Sequence, residues 1–198
     1  MGYTREQVEA AVKAKGYVYF EDASNKGYDI NIIGIRNAAT GQKVTNAFDD
    51  LLTISYKDEA GAWKYHEWPA TTDPGKKGVL EYHNSAGVAR LVEGQYRGSH
   101  SIGLHQGKYE ALRQAKNVKV YRDPNRDLTY DETKIAEGVF GINIHKAGAD
   151  STYVENWSEG CQVFKKSADF DEFMVIVKKA AALHGNSFTY TLLNSNEI

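Results

Sequence analysis

The residues best suited to chemistry lie in one stretch, GINIHKAGADSTYVENWSEGCQVF (141–164). It holds the one cysteine of the chain, Cys161, directly after Gly160 and sixteen residues after His145. A nucleophilic cysteine needs a base within hydrogen-bonding reach and donors for the oxyanion that forms on its substrate. His145 could fold back across the intervening loop to be that base. The backbone amides of Gly160 and Cys161 could be the donors, and Ser158 adds a small polar group nearby.

The same residues also allow a simpler interpretation. A lone cysteine is most often a small buried apolar residue, and a glycine–cysteine pair with a histidine nearby is common. Two lysines follow the cysteine closely, Lys165 and Lys166. If they point inward, we expect them to favour the thiolate.

The arrangement of His145 and the sequence SEGC (158–161) resembles the signature of the L,D-transpeptidase catalytic domain (YkuD-like) family. In that family a histidine is followed, after a comparable gap, by Ser/Thr-His-Gly-Cys. The resemblance implies that Cys161 is the nucleophile, His145 the base, and the amides of Gly160 and Cys161 the oxyanion hole. It implies that the carbonyl of Lys146 orients the imidazole. It also implies a β-rich fold with a few helices, and cysteine-dependent acyl transfer or hydrolysis on peptidoglycan stem peptides, without a cofactor.

Two positions depart from the family signature. Glu159 stands where the family has its second histidine, and Gln162-Val163-Phe164 lacks the Arg or Asn usual two positions after the cysteine. Because those positions shape substrate binding more than the nucleophile, we expect the chemistry to be kept and the specificity to be altered.

The first residues, MGYTREQVEAAVKAKG, predict a polar amphipathic helix without the apolar segment or cleavage site of a signal peptide. No apolar run approaches the ~18 residues of a membrane span. Typical cell-wall transpeptidases are exported. We therefore expect a protein made in the cytoplasm that resembles a bacteriophage lysis enzyme (an endolysin), or a toxin moved by dedicated secretion, and that acts on the cell wall after release. In a lytic role water would resolve the acyl-enzyme, which makes the protein a peptidase.

The composition of the chain limits the classes of partner that we expect. The formal net charge is -2 and no run is dense in Lys or Arg, which argues against nucleic acid as a partner. A single cysteine excludes an intramolecular disulfide framework and a multi-cysteine zinc cage. At 198 residues the chain is expected to form one catalytic domain, 1–198.

Several other side chains are candidates for substrate binding, and His100 is one of them. Trp157 and Tyr153 flank the cysteine loop and could line a groove. Arg97, Arg122 and Arg126 could pair with carboxylates of a peptide stem, since guanidinium suits bidentate contacts. The simpler interpretation of Arg126 is that it braces the DPNRD turn (123–127).

The histidines suggest a second kind of enzyme. His100 or His105, together with His145 and Cys161, could form a mixed zinc site of a cell-wall peptidase or amidase. Otherwise His100 and His105, like His66 and His83, are exposed or structural. A third possibility is a non-enzymatic virion or structural protein in which the catalytic motif has decayed.

The elements that must position these residues follow from periodicity and turn signals. The pattern lacks βαβ alternation and predicts a β-rich α+β fold, an L,D-transpeptidase-like β-sandwich or barrel of short strands with flanking N-terminal and C-terminal helices. The N-terminal helix begins with a capping box at Thr4 and Gln7 and ends near Gly16. The other predicted elements are strand 28–38, hairpin 51–68, loop 70–78, short sharply bent strands in 88–108, strand 117–123, strand 138–145, helix 168–184 capped by Ser167 and ended by Gly185, and strand 187–193.

Overall fold

The structure, a computed structural model, describes residues 2–82 and 84–198. Within these residues it contains three α-helices and eleven strands. The helices are α1 (Arg5–Ala14), α2 (Lys76–Glu81) and α3 (Ser167–His184). The strands are β1 (Asn31–Arg36), β2 (Asp50–Lys57), β3 (Trp63–Thr71), β4 (Val88–Leu91), β5 (Gly94–His105), β6 (Tyr109–Gln114), β7 (Val118–Asp123), β8 (Ile135–Gly138), β9 (Ile144–Lys146), β10 (Gln162–Phe164) and β11 (Phe188–Asn194).

Eight of these strands close into a barrel, in the order β1-β11-β5-β6-β9-β10-β3-β2. Two neighbouring pairs are parallel, β1 with β11 and β9 with β10, and the other pairs are antiparallel. A second sheet has the order β4-β7-β8. The architecture agrees with the predicted β-rich α+β class, and it is a barrel rather than a sandwich.

The core is divided between the two faces of β1, because successive side chains of a strand point to opposite sides. Ile32 belongs to the main apolar cluster, which α3 joins through Phe170 and Phe173. Ile33 and Ile35 belong to a second cluster, in which α1 contributes its apolar stripe. The helices therefore cover the barrel by amphipathic packing.

The predicted capping box of α1 and the predicted glycine at the end of α3 are confirmed. Thr4 accepts from the backbone of Gln7, whose side chain in turn accepts from Thr4 N–H, so the predicted capping box is present. Gly185 caps the C-terminus of α3 with φ 95°. The hairpin 51–68 appears as β2 and β3, in register from Asp50–Ala70 to Lys57–Trp63.

The prediction of one strand over 138–145 is wrong. β8 ends at Gly138, β9 begins at Ile144, and the chain between them is irregular. The reason is the side chain of Gln114, whose Oε1 accepts from the amides of Phe140 (3.1 Å) and Ile142 (2.9 Å). These hydrogen bonds to a side chain take the place of the backbone hydrogen bonds that a continuous strand would form.

Three other boundaries differ from the predictions. The segment 70–78 is not wholly a loop, because α2 begins at Lys76, whose amide donates to Asn46 Oδ1 (2.9 Å). The segment 88–108 contains the short strand β4 and then a strand of twelve residues, β5, which absorbs Gly98 (φ 58°) where its pairing with β11 shifts register. Helix α3 starts one residue early, so Lys166 is its cap and Ser167 its first residue.

None of the helices among residues 2–82 and 84–198 is both long and apolar enough to cross a bilayer.

Candidate active site

A pocket of about 400 Å³ opens where the tip of the β5–β6 hairpin meets β9 and the turn before β10. Its lining residues are His105, Gln106, Lys108, Tyr109, His145, Lys146, Asn156, Trp157, Glu159 and Cys161. Parallel pairing of β9 with β10 brings the two motif residues together. Val163 lies opposite His145, and Gln162 N donates to Asn143 O (2.8 Å), so Cys161 lies directly before the start of β10, beside β9.

His145 is buried and its tautomer is set by the backbone. Its Nδ1 lies 3.0 Å from the carbonyl oxygen of Lys146. A carbonyl oxygen only accepts, so Nδ1 carries the proton and Nε2 is the unprotonated nitrogen. Nε2 makes no hydrogen bond with the part of the chain that the structure describes. The hydroxyl of Tyr109 lies beside the same contact, 3.5 Å from Nδ1 and 3.4 Å from Lys146 O.

A second imidazole lies against the first. The rings of His105 and His145 are stacked, with centroids 4.2 Å apart and an angle of 18° between their planes. Asn143 Nδ2 lies 3.3 Å from Nδ1 of His105. Burial, and then the charge of His105, lower the pKa of His145 to about 4. At neutral pH His145 is therefore an uncharged imidazole, the form that can accept a proton.

Cys161 is partly exposed in the pocket, and its resting form is the thiol. Burial raises the pKa of the Cys161 thiol to about 11. The amide of Asn143 lowers this pKa, and the carboxylate of Glu159 raises it. Sγ donates to the carbonyl oxygen of Gly141 (3.2 Å). Among residues 2–82 and 84–198 no hydrogen bond joins the thiol to His145, so Sγ must rotate away from Gly141 before it can use that base.

The two lysines do not meet the condition under which they would favour the thiolate. Lys165 and Lys166 both form ion pairs with Asp150 and do not serve the thiol. The charge that acts on Cys161 is that of Glu159, and it has the opposite effect.

The turn before the cysteine is held by Ser158. Its Oγ donates to Cys161 O (2.8 Å) and accepts from Gly160 N (3.2 Å). Of the two amides predicted for the oxyanion hole, that of Gly160 is therefore occupied within the turn. The amide of Cys161 donates to no other group in the described residues. Gly160 has φ 135°, and a β-carbon on it would overlap the carbonyl oxygen of Ala89.

Two of the predicted substrate-binding residues lie near the cysteine loop, but only one lines the pocket. Trp157 lines it, with its side chain about half exposed. Tyr153 is 62% exposed on the same loop and is not part of the lining.

The other predicted binding residues lie elsewhere. His100 is fully buried, with Nδ1 2.8 Å from Ser99 Oγ and Nε2 2.8 Å from Ile142 O, and burial lowers its pKa to about 4. The guanidinium of Arg97 lies over the ring of Phe20.

Both remaining arginines lie on the β7 side of the molecule. Arg126 braces the turn after β7, as the simpler interpretation expected: its amide donates to Asp123 Oδ1 (2.8 Å) and its guanidinium to Asn84 O (3.3 Å). Arg122 lies over Phe140.

The zinc alternative lacks a converging set of ligands. In the described part of the chain no group of three or more His, Cys, Asp or Glu side chains is arranged to hold a metal ion. Although His105, His145 and Cys161 share the pocket, the two rings are stacked face to face, so their nitrogens lie in separate planes and do not point at one centre. His66 stacks on Trp68 outside the pocket, and His83 lies outside the described residues.

The sequence interpretation missed Tyr109 and gave His105 only a metal-binding role. Both belong to one tight hairpin. His105 and Tyr109 are cross-strand partners, and the turn between them has positive φ at Gln106 (51°) and Gly107 (71°). The signal was the Gln-Gly pair, because tight hairpin turns often need positive φ and glycine adopts it readily.

Comparison of the chain with protein-family models, with curated proteins and with solved structures gives no match. The pocket around Cys161 and His145, together with the local resemblance of its motif, is therefore the basis on which a function can be proposed.

Proposed function

We propose that the protein is a cysteine-dependent enzyme of the L,D-transpeptidase type, which transfers or hydrolyses acyl groups of peptidoglycan stem peptides. The observation that carries the proposal is the shared pocket of Cys161 and His145, in which the carbonyl of Lys146 fixes the proton of His145 on Nδ1. This is the arrangement that the family resemblance implies for a base beside its nucleophile. The SEGC motif supports the substrate class.

The first half-reaction starts from an uncharged pair. As Sγ of Cys161 attacks the carbonyl carbon of the substrate, its proton passes to Nε2 of His145. The developing oxyanion accepts from the free amide of Cys161. The tetrahedral intermediate then collapses, the C–N bond breaks, and the imidazolium returns its proton to the leaving amine. A thioester on Cys161 and a free amine are the products.

The second half-reaction uses the same groups. Water, or an acceptor amine, gives a proton to His145 as it attacks the thioester. The C–S bond breaks, the sulfur regains the proton, and a carboxylic acid or a new amide leaves. Because the resting pair is thiol and neutral imidazole, proton transfer accompanies attack and does not precede it. The positive charge on His145 and the negative charge on sulfur or oxyanion stabilise each other while they exist.

The walls of the pocket suit a peptide that carries both charges. Lys108 lines the pocket and could bind a substrate carboxylate, and Glu159 lines it as well. Trp157 adds an apolar surface to the same lining. In this proposal the protein acts on the cell wall, which it reaches after a lysis-type release or by dedicated secretion.

The test is digestion of purified muropeptides, followed by mass spectrometry of the products. We expect the intact protein to convert them, and Cys161→Ala and His145→Ala each to lose most of that activity. His66→Gln is the matched control, since it removes an imidazole outside the pocket, and it should keep the activity.

Product masses distinguish hydrolysis from transfer, because addition of water and addition of an amine differ in mass. Conversion by Cys161→Ala would contradict the proposal, and its inhibition by a chelator would favour the metal-dependent alternative. If the folded, intact protein converts none of the muropeptides, the enzyme proposal is wrong and a binding or structural role takes its place.

A further inference from the structure

Each of the four carbonyl groups in the SEGC turn (158–161) accepts a hydrogen bond. Backbone amides of other segments donate to the first two, and Ser158 Oγ donates to that of Cys161. The carbonyl of Gly160 differs, because its donor is Nε2 of the Gln162 side chain, 3.1 Å away. Gln162 is the first residue of β10 and is fully buried. A buried side chain therefore holds the peptide group that joins Gly160 to the cysteine.

The same peptide group carries the N–H that the proposed reaction uses for the oxyanion. The C=O and N–H of a trans peptide lie in one plane and point in opposite directions, and no peptide bond of the described residues is cis. Because Gln162 holds the carbonyl of Gly160, the N–H of Cys161 must point away from Gln162. Cys161 lines the pocket, and its amide donates to no other group in residues 2–82 and 84–198.

The orientation of the Gln162 amide follows from its partners. Nε2 also donates to the carbonyl oxygen of Thr72 (3.4 Å), and Oε1 accepts from the hydroxyl of Tyr190 (2.7 Å). Carbonyl oxygens only accept, so the nitrogen of the amide must face Gly160 and Thr72, and its oxygen must face the hydroxyl. The amide cannot rotate without losing hydrogen bonds on both sides, and each lost bond would leave a buried polar group unsatisfied.

Tyr190 reaches Gln162 from the opposite side of the barrel. Strands β11 and β10 are four positions apart in the ring of eight, so their hydrogen bond crosses the interior. Tyr190 is fully buried, and a β-carbon on Gly34 of the neighbouring strand β1 would lie 2.0 Å from its hydroxyl oxygen. The φ of Gly34 is not positive, so the absence of a side chain there makes space for the hydroxyl and serves no special backbone conformation.

Thr72, the other partner of Gln162, is fixed by a buried ionic network. Its carbonyl oxygen also accepts from the guanidinium of Arg36 (3.0 Å), and its amide donates to Asp50 Oδ2 (2.6 Å). Arg36 is buried and forms ion pairs with Asp73 and Glu93, each at 2.8 Å. Breaking such a network exposes an unpaired buried charge, so Thr72 is a rigid acceptor for the amide.

We propose that Gln162 is a positioning residue for the oxyanion hole, and that Tyr190 holds its side chain in place from across the barrel. By fixing the carbonyl of Gly160, Gln162 presents the N–H of Cys161 to the oxygen that becomes negative when Sγ attacks a carbonyl carbon. This role rests on the proposed function, because it requires Cys161 to be acylated. It does not require the acyl group to come from peptidoglycan.

Two reactions of the same sulfur test this role, and Cys161 is the one cysteine of the chain. With p-nitrophenyl acetate, the C–S bond forms, an oxyanion develops, the C–O bond breaks and p-nitrophenolate leaves, while the thiol proton passes through His145 to water. With iodoacetamide, the C–S bond forms as the C–I bond breaks, iodide leaves, and no oxyanion develops. The ratio of the two rate constants, each corrected with Cys161→Ala, therefore cancels changes in the acidity of the thiol and reports oxyanion stabilisation.

The variants remove the hydrogen bonds and keep the shapes of the side chains. Gln162→Met should lower the ratio of acylation to alkylation about ten- to a hundredfold, against about 10²–10³ for loss of an oxyanion donor itself. Tyr190→Phe leaves the amide of Gln162 in place without its anchor and should lower the ratio less, about three- to tenfold. Tyr96→Phe is the matched control. Tyr96 pairs with Tyr190 on the adjacent strand β5, but its hydroxyl donates to Val92 O (2.6 Å), so the ratio should not change.

Unchanged ratios in folded Gln162→Met and Tyr190→Phe would overturn the proposal. They would do so even if both rate constants fell together, because a general loss of packing slows acylation and alkylation alike. If neither variant folds, the wild-type protein decides. Its ratio should exceed that of N-acetylcysteine amide at least about tenfold, and an equal ratio would mean that the amide of Cys161 stabilises no oxyanion.

The muropeptide assay separates this proposal from the proposed function. Lower ratios in the two variants, without conversion of muropeptides by the intact protein, would keep the role of Gln162 and reject peptidoglycan as the substrate. Unchanged ratios, with conversion of muropeptides, would reject the role of Gln162 and keep the substrate.

Discussion

The imidazole of His105 lies almost parallel to that of His145, with 4.2 Å between the ring centroids. Burial lowers the pKa of His145 most, and His105 lowers it further because two protonated imidazoles at this distance repel each other. His105 covers the base from solvent, and its charge lowers the pKa of His145. Nε2 of His145 remains available to accept the proton of the nucleophile. His105 thus acts as a positioning residue for His145.

Activity should depend on pH through His145. The reaction needs its neutral form, so kcat/KM should fall as pH decreases through about 4, and it should be level near neutrality. His105→Phe keeps a ring on the stack but removes the charge, which should raise the pKa of His145 and move the acid limb to higher pH. His105→Ala also exposes the ring and should move the limb further. Superimposable profiles for all three proteins would contradict the coupling.

The single thiol should react slowly with iodoacetamide at pH 7. Burial raises the pKa of Cys161 to about 11, against about 8.5 for an unperturbed cysteine, so little thiolate is present. We expect the native protein to be labelled ten- to a hundred-fold more slowly, roughly, than the same protein in urea. Glu159→Gln removes a negative charge and should speed labelling of the native protein. Native and unfolded rates that agree at pH 7 would show that the thiol is not desolvated.

Gly160→Ala should destabilise the protein more than Gly141→Ala does. Both positions have positive φ (135° and 77°), but a β-carbon at 160 would also overlap Ala89 O, whereas the space around 141 is open. Left-handed strain alone costs about 1–2 kcal/mol, and overpacking adds about 1–3 kcal/mol. Urea unfolding of the two variants measures the difference. Equal losses would mean that the turn can move away from Ala89.

Losses of activity at the catalytic pair should not add. If His145 acts only by taking the proton of Cys161, each single change to alanine removes the same step. The double variant Cys161→Ala/His145→Ala should then be little slower than Cys161→Ala in the muropeptide assay. Both single variants should keep a cooperative unfolding transition. A double variant that is slower by the product of the two single losses would indicate independent roles.

Elements with a strong local signal could be predicted from the sequence. The capping box of Thr4 and Gln7 needs only four neighbouring residues, and the apolar face of α3 repeats with helical period. In each case the decisive interactions are close in sequence, and propensity and tertiary packing agree.

Interactions between distant segments could not be predicted in this way. The stack on His145 comes from a hairpin some forty residues earlier, and only the barrel order brings that hairpin beside β9. Gln114 replaces a strand ladder at Phe140 and Ile142 with its side chain, which no alternation of apolar residues reveals. The pKa of the Cys161 thiol depends on which charged neighbours face it, and the nearby lysines form ion pairs with Asp150.

The parallel pairing of β1 with β11 has a consequence for how the protein is made. Ile32 is matched with Tyr190, so the strand that completes the ring is synthesised long after the one it joins. Loop-closure entropy makes such distant pairings slow to form. Strand β11 also pairs with β5, and β5 forms the hairpin that holds His105 and Tyr109. While the nascent chain still lacks β11, the ribosome therefore holds a protein whose cysteine is present but whose second imidazole has no support. Chaperones and proteases would act on the nascent chain during that interval. A chain truncated before β11 should be inert although it keeps every residue of the pocket.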